Sequence, residues 1–319
     1  MPVHPDLAVF LELAELGRLS GATRALHELP VDQAREVFEQ ASDILDPTPP
    51  GDLQVTAHEV LLDDGQVLAA RLYRPQGAQG ALPVIFYLHG GGYVVGSLDS
   101  HDSICRRLAA GGRFAVFAPA YRRAPEHPFP GPLDDVRGAA NWLAGQAQAL
   151  QLDAGRVIFA GDSVGASLAT VLAIIAAREP ERLQLQPKGQ LLLYPVTDIS
   201  RERASHQQYA EGYLLETETL RWFYQQYLGT VGRADDWRVS PLLQADLSGL
   251  APAYLAVAEY DPLFDEGLAY AQALREQGNA LTLQVAEGLT HDFLRMSGMV
   301  EEVGAIYAGL LEWASARVA

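Results

Sequence analysis

Val157-Ile-Phe-Ala-Gly-Asp-Ser-Val-Gly-Ala-Ser-Leu-Ala-Thr-Val-Leu172 is the stretch on which the fold turns. Val157 to Ala160 is an unbroken apolar run, the pattern of a strand buried on both faces. Ala166 to Leu172 continues as a helix. Between them, Gly161-Asp-Ser163-Val-Gly165 must turn the chain within five residues. Glycines on either side allow so tight a turn, and the serine between them is held in a strained backbone. The turn also sets Ser163 at a helix N-terminus, where the helix dipole favours developing negative charge. Gly-x-Ser-x-Gly by itself is weak, since chance supplies it in about one chain in ten of this length. The alternative is a glycine-rich turn with Ser163 as a helix cap. The flanking strand and helix favour a nucleophile.

Outward from this turn the chain alternates. Residues 54–62 and 67–74 read as two strands joined at Asp64-Gly65, a hairpin signal. Six further strand candidates follow at 82–88, 114–120, 156–160, 190–194, 253–258 and 281–286. Helical patterns occupy 100–110, 133–150, 164–178, 263–277 and 293–317. Eight strands, most separated by helices, predict a mostly parallel sheet with helices on both faces. Two segments stand outside this core of 46–198 and 236–319. Residues 1–45 carry helical stripes (Leu7, Phe10, Leu11, Ala14; then Val37, Phe38, Ile44, Leu45) and end at Asp46-Pro-Thr-Pro-Pro-Gly. Residues 199–235 are a polar loop and a helix from Thr217 to Leu228, with Leu220, Phe223, Tyr224 and Tyr227. An insert of that length is usually functional, as in a lid.

A serine hydroxyl is a poor nucleophile without an imidazole to take its proton and a carboxylate to orient that imidazole. Of eight histidines only His291 follows residue 206. It lies after the last strand, where a base in the order Ser, Asp, His must be. Asp261 ends the strand 253–258 and precedes Pro262, so it suits either a helix cap or the triad acid; its place at the strand end favours the acid. Asp292 adjoins His291, and a side chain does not readily face its own neighbour's ring. His89-Gly-Gly-Gly92 follows the strand ending at Leu88. Such a run brings backbone N–H groups close to a developing oxyanion, with Val164 as the donor after the nucleophile. His89 reads as a prop for the loop. A dinucleotide loop fits poorly, because the third glycine, Gly96, comes one residue late and no helix opens at once.

Composition narrows the class. The chain has 319 residues, 49% hydrophobic and 20% charged, with net charge −17 and one lysine, Lys188. Scattered arginines and the acidic balance speak against nucleic acid. No apolar run reaches the roughly 18–20 residues of a membrane span. The start lacks the basic and apolar regions of a secretory signal, and the lone Cys105 excludes an internal disulfide, so the expectation is a cytoplasmic protein.

Taken together, the motifs identify a family. His89-Gly-Gly-Gly-Tyr-Val-Val-Gly-Ser97, Tyr121-Arg-Arg-Ala-Pro-Glu-His-Pro-Phe-Pro130 with Leu133-Asp-Asp135, Gly161-Asp-Ser-Val-Gly165, Tyr194-Pro195, Asp261-Pro-Leu263 and His291-x-Phe293 follow in order across residues 55–315. The chain resembles the hormone-sensitive-lipase-like (family IV) bacterial esterases. The resemblance implies an α/β-hydrolase core with a helical cap from residues 1–45 and 199–235. It implies a small-molecule ester substrate, no metal or organic cofactor, and a homodimer as the expected assembly. It implies Ser163, Asp261 and His291 as the triad and Gly91, Gly92 and Val164 as oxyanion donors. Tyr93, Asp162, Tyr194, Leu214 and Leu215 are the expected substrate contacts, and Leu214, Leu215, Trp222 and Phe223 would close an apolar site suited to short acyl chains. Amidases and lactonases share this machinery; non-catalytic ligand-binding members tend to lose a triad residue, and none is lost here. The family usually reads Gly-Asp-Ser-Ala-Gly-Gly-Asn, so Val164, Ala166 and Ser167 depart from it, as does Arg123, which stands where leucine is common.

Overall fold

Side chains alternate across a strand, so each apolar run feeds two cores. In β3 (Leu82–Leu88), Val84, Phe86 and Leu88 enter one core while Ile85 and Tyr87 enter the other. In β5 (Leu152–Asp162), Phe159 faces the first core, and Ile158 and Ala160 the second. The computed structural model describes residues 2–319. Its sheet also contains β1 (Leu53–Leu61), β2 (Val67–Pro75), β4 (Ala115–Pro119), β6 (Pro187–Leu193), β7 (Ala253–Tyr260) and β8 (Leu281–Thr290). The spatial order is β1-β2-β4-β3-β5-β6-β7-β8. β2 runs antiparallel to both its neighbours and the other pairings are parallel.

The first core lies under α4 (Gly131–Gln146), α5 (Val164–Arg178) and α8 (Phe264–Glu276); the second lies under α3 (Asp102–Ala110) and α9 (Val303–Arg317). Every residue of α5 from Val164 to Ala176 is buried. That explains its near-continuous small and apolar sequence, since a helix enclosed on all sides has no polar face. At the centre, Phe159 packs 5.8 Å from the Phe86 ring; truncating such a residue to alanine costs about 3–5 kcal/mol.

The strand order places the site. From β3 the chain crosses to β4 on one side, and β5 then takes the other side of β3. Loops leaving the carboxyl ends of β3 and β5 therefore diverge and leave a crevice, where open α/β sheets bind ligands. The loops after β7 and β8 reach the same edge.

Two segments pack above that edge. α1 (Pro5–Leu19) and α2 (Val31–Leu45) form the N-terminal arm, and α6 (Ala204–Gln208) and α7 (Thr217–Leu228) lie in the insert. Ala34 and Phe38 of α2 join Val94, Val95, Ala124 and Phe223 in a third apolar cluster. Leu7 is buried as expected, but Val37 and Ile44 turn outward, 42% and 64% exposed. The helix expected over 293–317 is broken. Phe293–Met296 is a short 3-10 turn, and α9 starts only at Val303. Phe293, Leu294, Arg295 and Met296 are all buried, and Ser297-Gly298 and a turn separate them from α9. Several strands exceed their apolar runs: β5 begins at Leu152, β6 at Pro187, β7 continues to Tyr260, and β8 continues to Thr290, delivering the chain to His291. No helix among the described residues is long and apolar enough to cross a membrane.

Candidate active site

Ser163 sits at the sharp turn between β5 and α5 with φ 54° and ψ −122°. That region is costly for a residue with a Cβ, so the surroundings must fix it. Its N–H donates to the Leu193 carbonyl at 2.9 Å. Gly165 makes the turn possible: a Cβ there would lie 2.0 Å from the Leu88 carbonyl oxygen.

The loops after β7 and β8 bring two more groups to this serine. The Asp261 carboxylate accepts from Nδ1–H of His291 at 2.7 Å. Nε2 of His291, left as the acceptor, receives the Ser163 hydroxyl at 3.0 Å. A carboxylate can only accept here, so this tautomer follows from the partners. Both readings of Asp261 are met, one by each oxygen: Oδ2 takes His291, and Oδ1 takes the Leu263 N–H at 2.8 Å. Burial opposes charge on His291, but the Asp261 carboxylate, with Asp292 and Asp162 behind it, outweighs burial and raises the imidazole above its ordinary value. The Tyr194 ring packs edge-on to the His291 ring at 4.7 Å.

The loop after β3 approaches from the opposite side. Gly91 and Gly92 have φ 109° and 60°. The N–H groups of Gly91, Gly92 and Val164 donate to no acceptor among the described residues, which leaves them available to a ligand. A Cβ on Gly92 would fall 2.2 Å from the Phe223 ring, so α7 rests directly on this loop. The loop is fixed from below. Asp162, fully buried, accepts from the Gly90 N–H at 2.9 Å, from His101 Nε2–H at 3.2 Å and from the Tyr87 hydroxyl. His89 donates Nδ1–H to the Gly90 carbonyl at 2.7 Å and stacks on Tyr121 at 4.2 Å. Arg123 donates to the Gly96 carbonyl at 2.7 Å, so the unusual arginine pins the far end of the same loop.

The residues expected to touch substrate have these surroundings. Asp162 is an anchor for residues 89–92, with its oxygens engaged inside the protein. Tyr194 backs His291. Tyr93, 1% exposed, stacks on Tyr227 at 3.6 Å. Leu214 is 37% exposed and Leu215 packs on the main core, so the insert residue nearest the glycine loop is Phe223. Sequence reading passed over Tyr87 and His101, which meet Asp162 across wide separations that spacing does not signal. Glu266 in the first turn of α8 is wholly buried, and its carboxyl is pushed up to about 8 by burial despite amide donors from Thr197 and Asp198.

Known proteins share this fold. The family described as alpha/beta hydrolase fold matches residues 85–295. An ethyl acetate hydrolase of Pseudomonas putida is 47% identical over 309 residues, 95% of each chain. Carboxylesterase NlhH of Mycobacterium tuberculosis is 34% identical over 259 residues, 79% of this chain and 80% of that one. The crystal structure of a thermostable esterase from Pseudomonas putida ECU1011 superposes with a TM-score of 0.92 at 30% identity, covering 100% of this chain and 98% of that one. From the sheet order, the elbow geometry and these relatives together, the chain belongs to the hormone-sensitive-lipase-like (family IV) carboxylic ester hydrolases of the α/β-hydrolase superfamily.

Proposed function

We propose that this chain is a serine carboxylesterase that cleaves small, short-acyl esters through an acyl-enzyme on Ser163. The observation that carries the reading is the row from Ser163 Oγ through the His291 ring to Asp261, with unengaged amides of Gly91, Gly92 and Val164 alongside. His291 Nε2 takes the hydroxyl proton as Oγ adds to the ester carbonyl carbon. The carbonyl oxygen becomes an oxyanion and receives the three N–H groups, donors fixed before the charge appears. The tetrahedral intermediate collapses, the carbon–oxygen bond to the alcohol breaks, and Nε2–H protonates that alcohol. Water then repeats the steps on the acyl-enzyme, releasing the acid and restoring Ser163. Asp261 holds the ring in the required tautomer and balances the imidazolium.

Residues 1–45 and 199–235 act in this reading as the cap. Support for short acyl groups comes from Phe223, which fills the space directly above Gly92. The Pseudomonas putida relative named as an ethyl acetate hydrolase points the same way. The test is steady-state hydrolysis of p-nitrophenyl esters. The wild-type chain should turn over the acetate and butyrate well and the decanoate poorly, and Ser163→Ala should lower kcat by at least about 10³ without unfolding the protein. Retained turnover by Ser163→Ala would overturn the assignment.

A further inference from the structure

Adjacency in sequence argues against contact between Asp292 and the His291 ring, yet the fold makes that contact. Asp292 adopts the left-handed backbone, φ 65° and ψ 16°, a region that aspartate and asparagine enter more readily than other residues with a Cβ. The side chain folds back, and Oδ1 comes within 3.8 Å of His291 Nε2. Nε2 is the atom that faces Ser163 Oγ. The other oxygen, Oδ2, accepts from Arg295 at 3.1 Å. Arg295 is held from behind by α2, with its guanidinium 4.2 Å above the Phe38 ring and a hydrogen bond to the Phe38 carbonyl. The ion pair is thereby oriented, with its negative end toward Nε2. The Asp292 side chain is 24% exposed while that of His291 is 5% exposed. Of the two side chains Asp292 is the more exposed, and its carboxylate lies within 3.8 Å of Nε2.

We propose that Asp292 sets the charge preference on the alcohol side of the ester: alcohol portions bearing a cation are favoured and those bearing an anion are disfavoured. This rests on the esterase reading above, because Nε2 is the atom that protonates the departing alcohol in that mechanism. A unit charge about one side-chain length from a partly exposed carboxylate changes a rate constant by about tenfold at low ionic strength, and added salt screens the effect.

The test measures kcat/KM for phenyl acetate and for phenyl acetates carrying a trimethylammonium or a carboxylate group on the ring. All three share one acyl group. Comparing the cation-to-anion ratio between variants cancels the intrinsic reactivity of each ester. The wild-type ratio should fall as salt is added. Asp292→Asn, a residue suited to the same backbone, should lower the ratio about tenfold, and Asp292→Glu should keep most of it. Asp63→Asn, on the exposed hairpin turn, makes the same change in net charge and should leave the ratio in place. A salt-independent wild-type ratio, an equal loss on all three esters in Asp292→Asn, or an equal shift in Asp63→Asn would overturn the proposal. Absence of phenyl acetate turnover by the wild-type chain would instead overturn the esterase reading itself, and this proposal with it.

Discussion

The loop after β3 and the loop after β8 each place a buried histidine at the same edge of the sheet, and they treat it in opposite ways. His89 is 3% exposed and His291 is 4% exposed, so burial does not separate them. The partner of Nδ1 does. For His89 it is the Gly90 carbonyl, which is neutral, and burial together with nearby His101 depresses the imidazole to about 3. For His291 it is the Asp261 carboxylate, which reverses the effect of burial. One ring is a fixed, uncharged strut for the glycine loop. The other can accept and return a proton beside Ser163. Between these two rings at the same depth, the difference is the carboxylate behind Nδ1.

This contrast can be broken most directly by removing each ring. His291→Ala should lower kcat for p-nitrophenyl acetate by about 10⁴ or more, as expected when the base of a serine triad is lost. His89→Ala should lower it by about tenfold, through slackening of residues 89–92 and not through lost proton transfer. Equal losses in the two variants would erase the distinction. A finer test is the pH profile. The base must be neutral to act, so activity is lost as pH falls through its folded value, and a raised value moves that loss upward. The acid limb of kcat/KM should therefore lie above 6.5, the ordinary histidine value, and His89→Ala should not move it. A limb below 6.5 in the wild-type chain would show that Asp261 does not dominate the environment of His291.

Much of the frame was legible because it is local. The apolar runs of Val84 to Leu88 and Val157 to Ala160 announce doubly buried strands, and the elbow is written in five consecutive residues. Asp261 and His291 were legible for a different reason: chain order and strand ends limit which carboxylate and which imidazole can reach Ser163. Contacts set by side-chain direction or by distant packing were not legible. The resemblance offers Asp162 as a substrate contact, and its inward contacts with Gly90, Tyr87 and His101 have no signal in the spacing of the chain. Asp292 reads as unable to face His291 because the ordinary backbone is assumed; its left-handed φ reverses the direction. The break between Met296 and Val303 was hidden because an apolar run looks the same whether it forms one face of a helix or is buried on all sides. Phe223 was named among the apolar residues of the insert, but only the fold shows that it rests on Gly92.

In the proposed reaction Ser163 alone is an activated nucleophile, made so by His291. Treatment with a fluorophosphonate followed by intact-mass measurement and peptide mapping tests it most directly. One adduct per chain is expected, on the peptide containing Ser163, absent in Ser163→Ala and strongly slowed in His291→Ala. Labelling at another residue, labelling that survives Ser163→Ala, or an unmodified wild-type chain would contradict it.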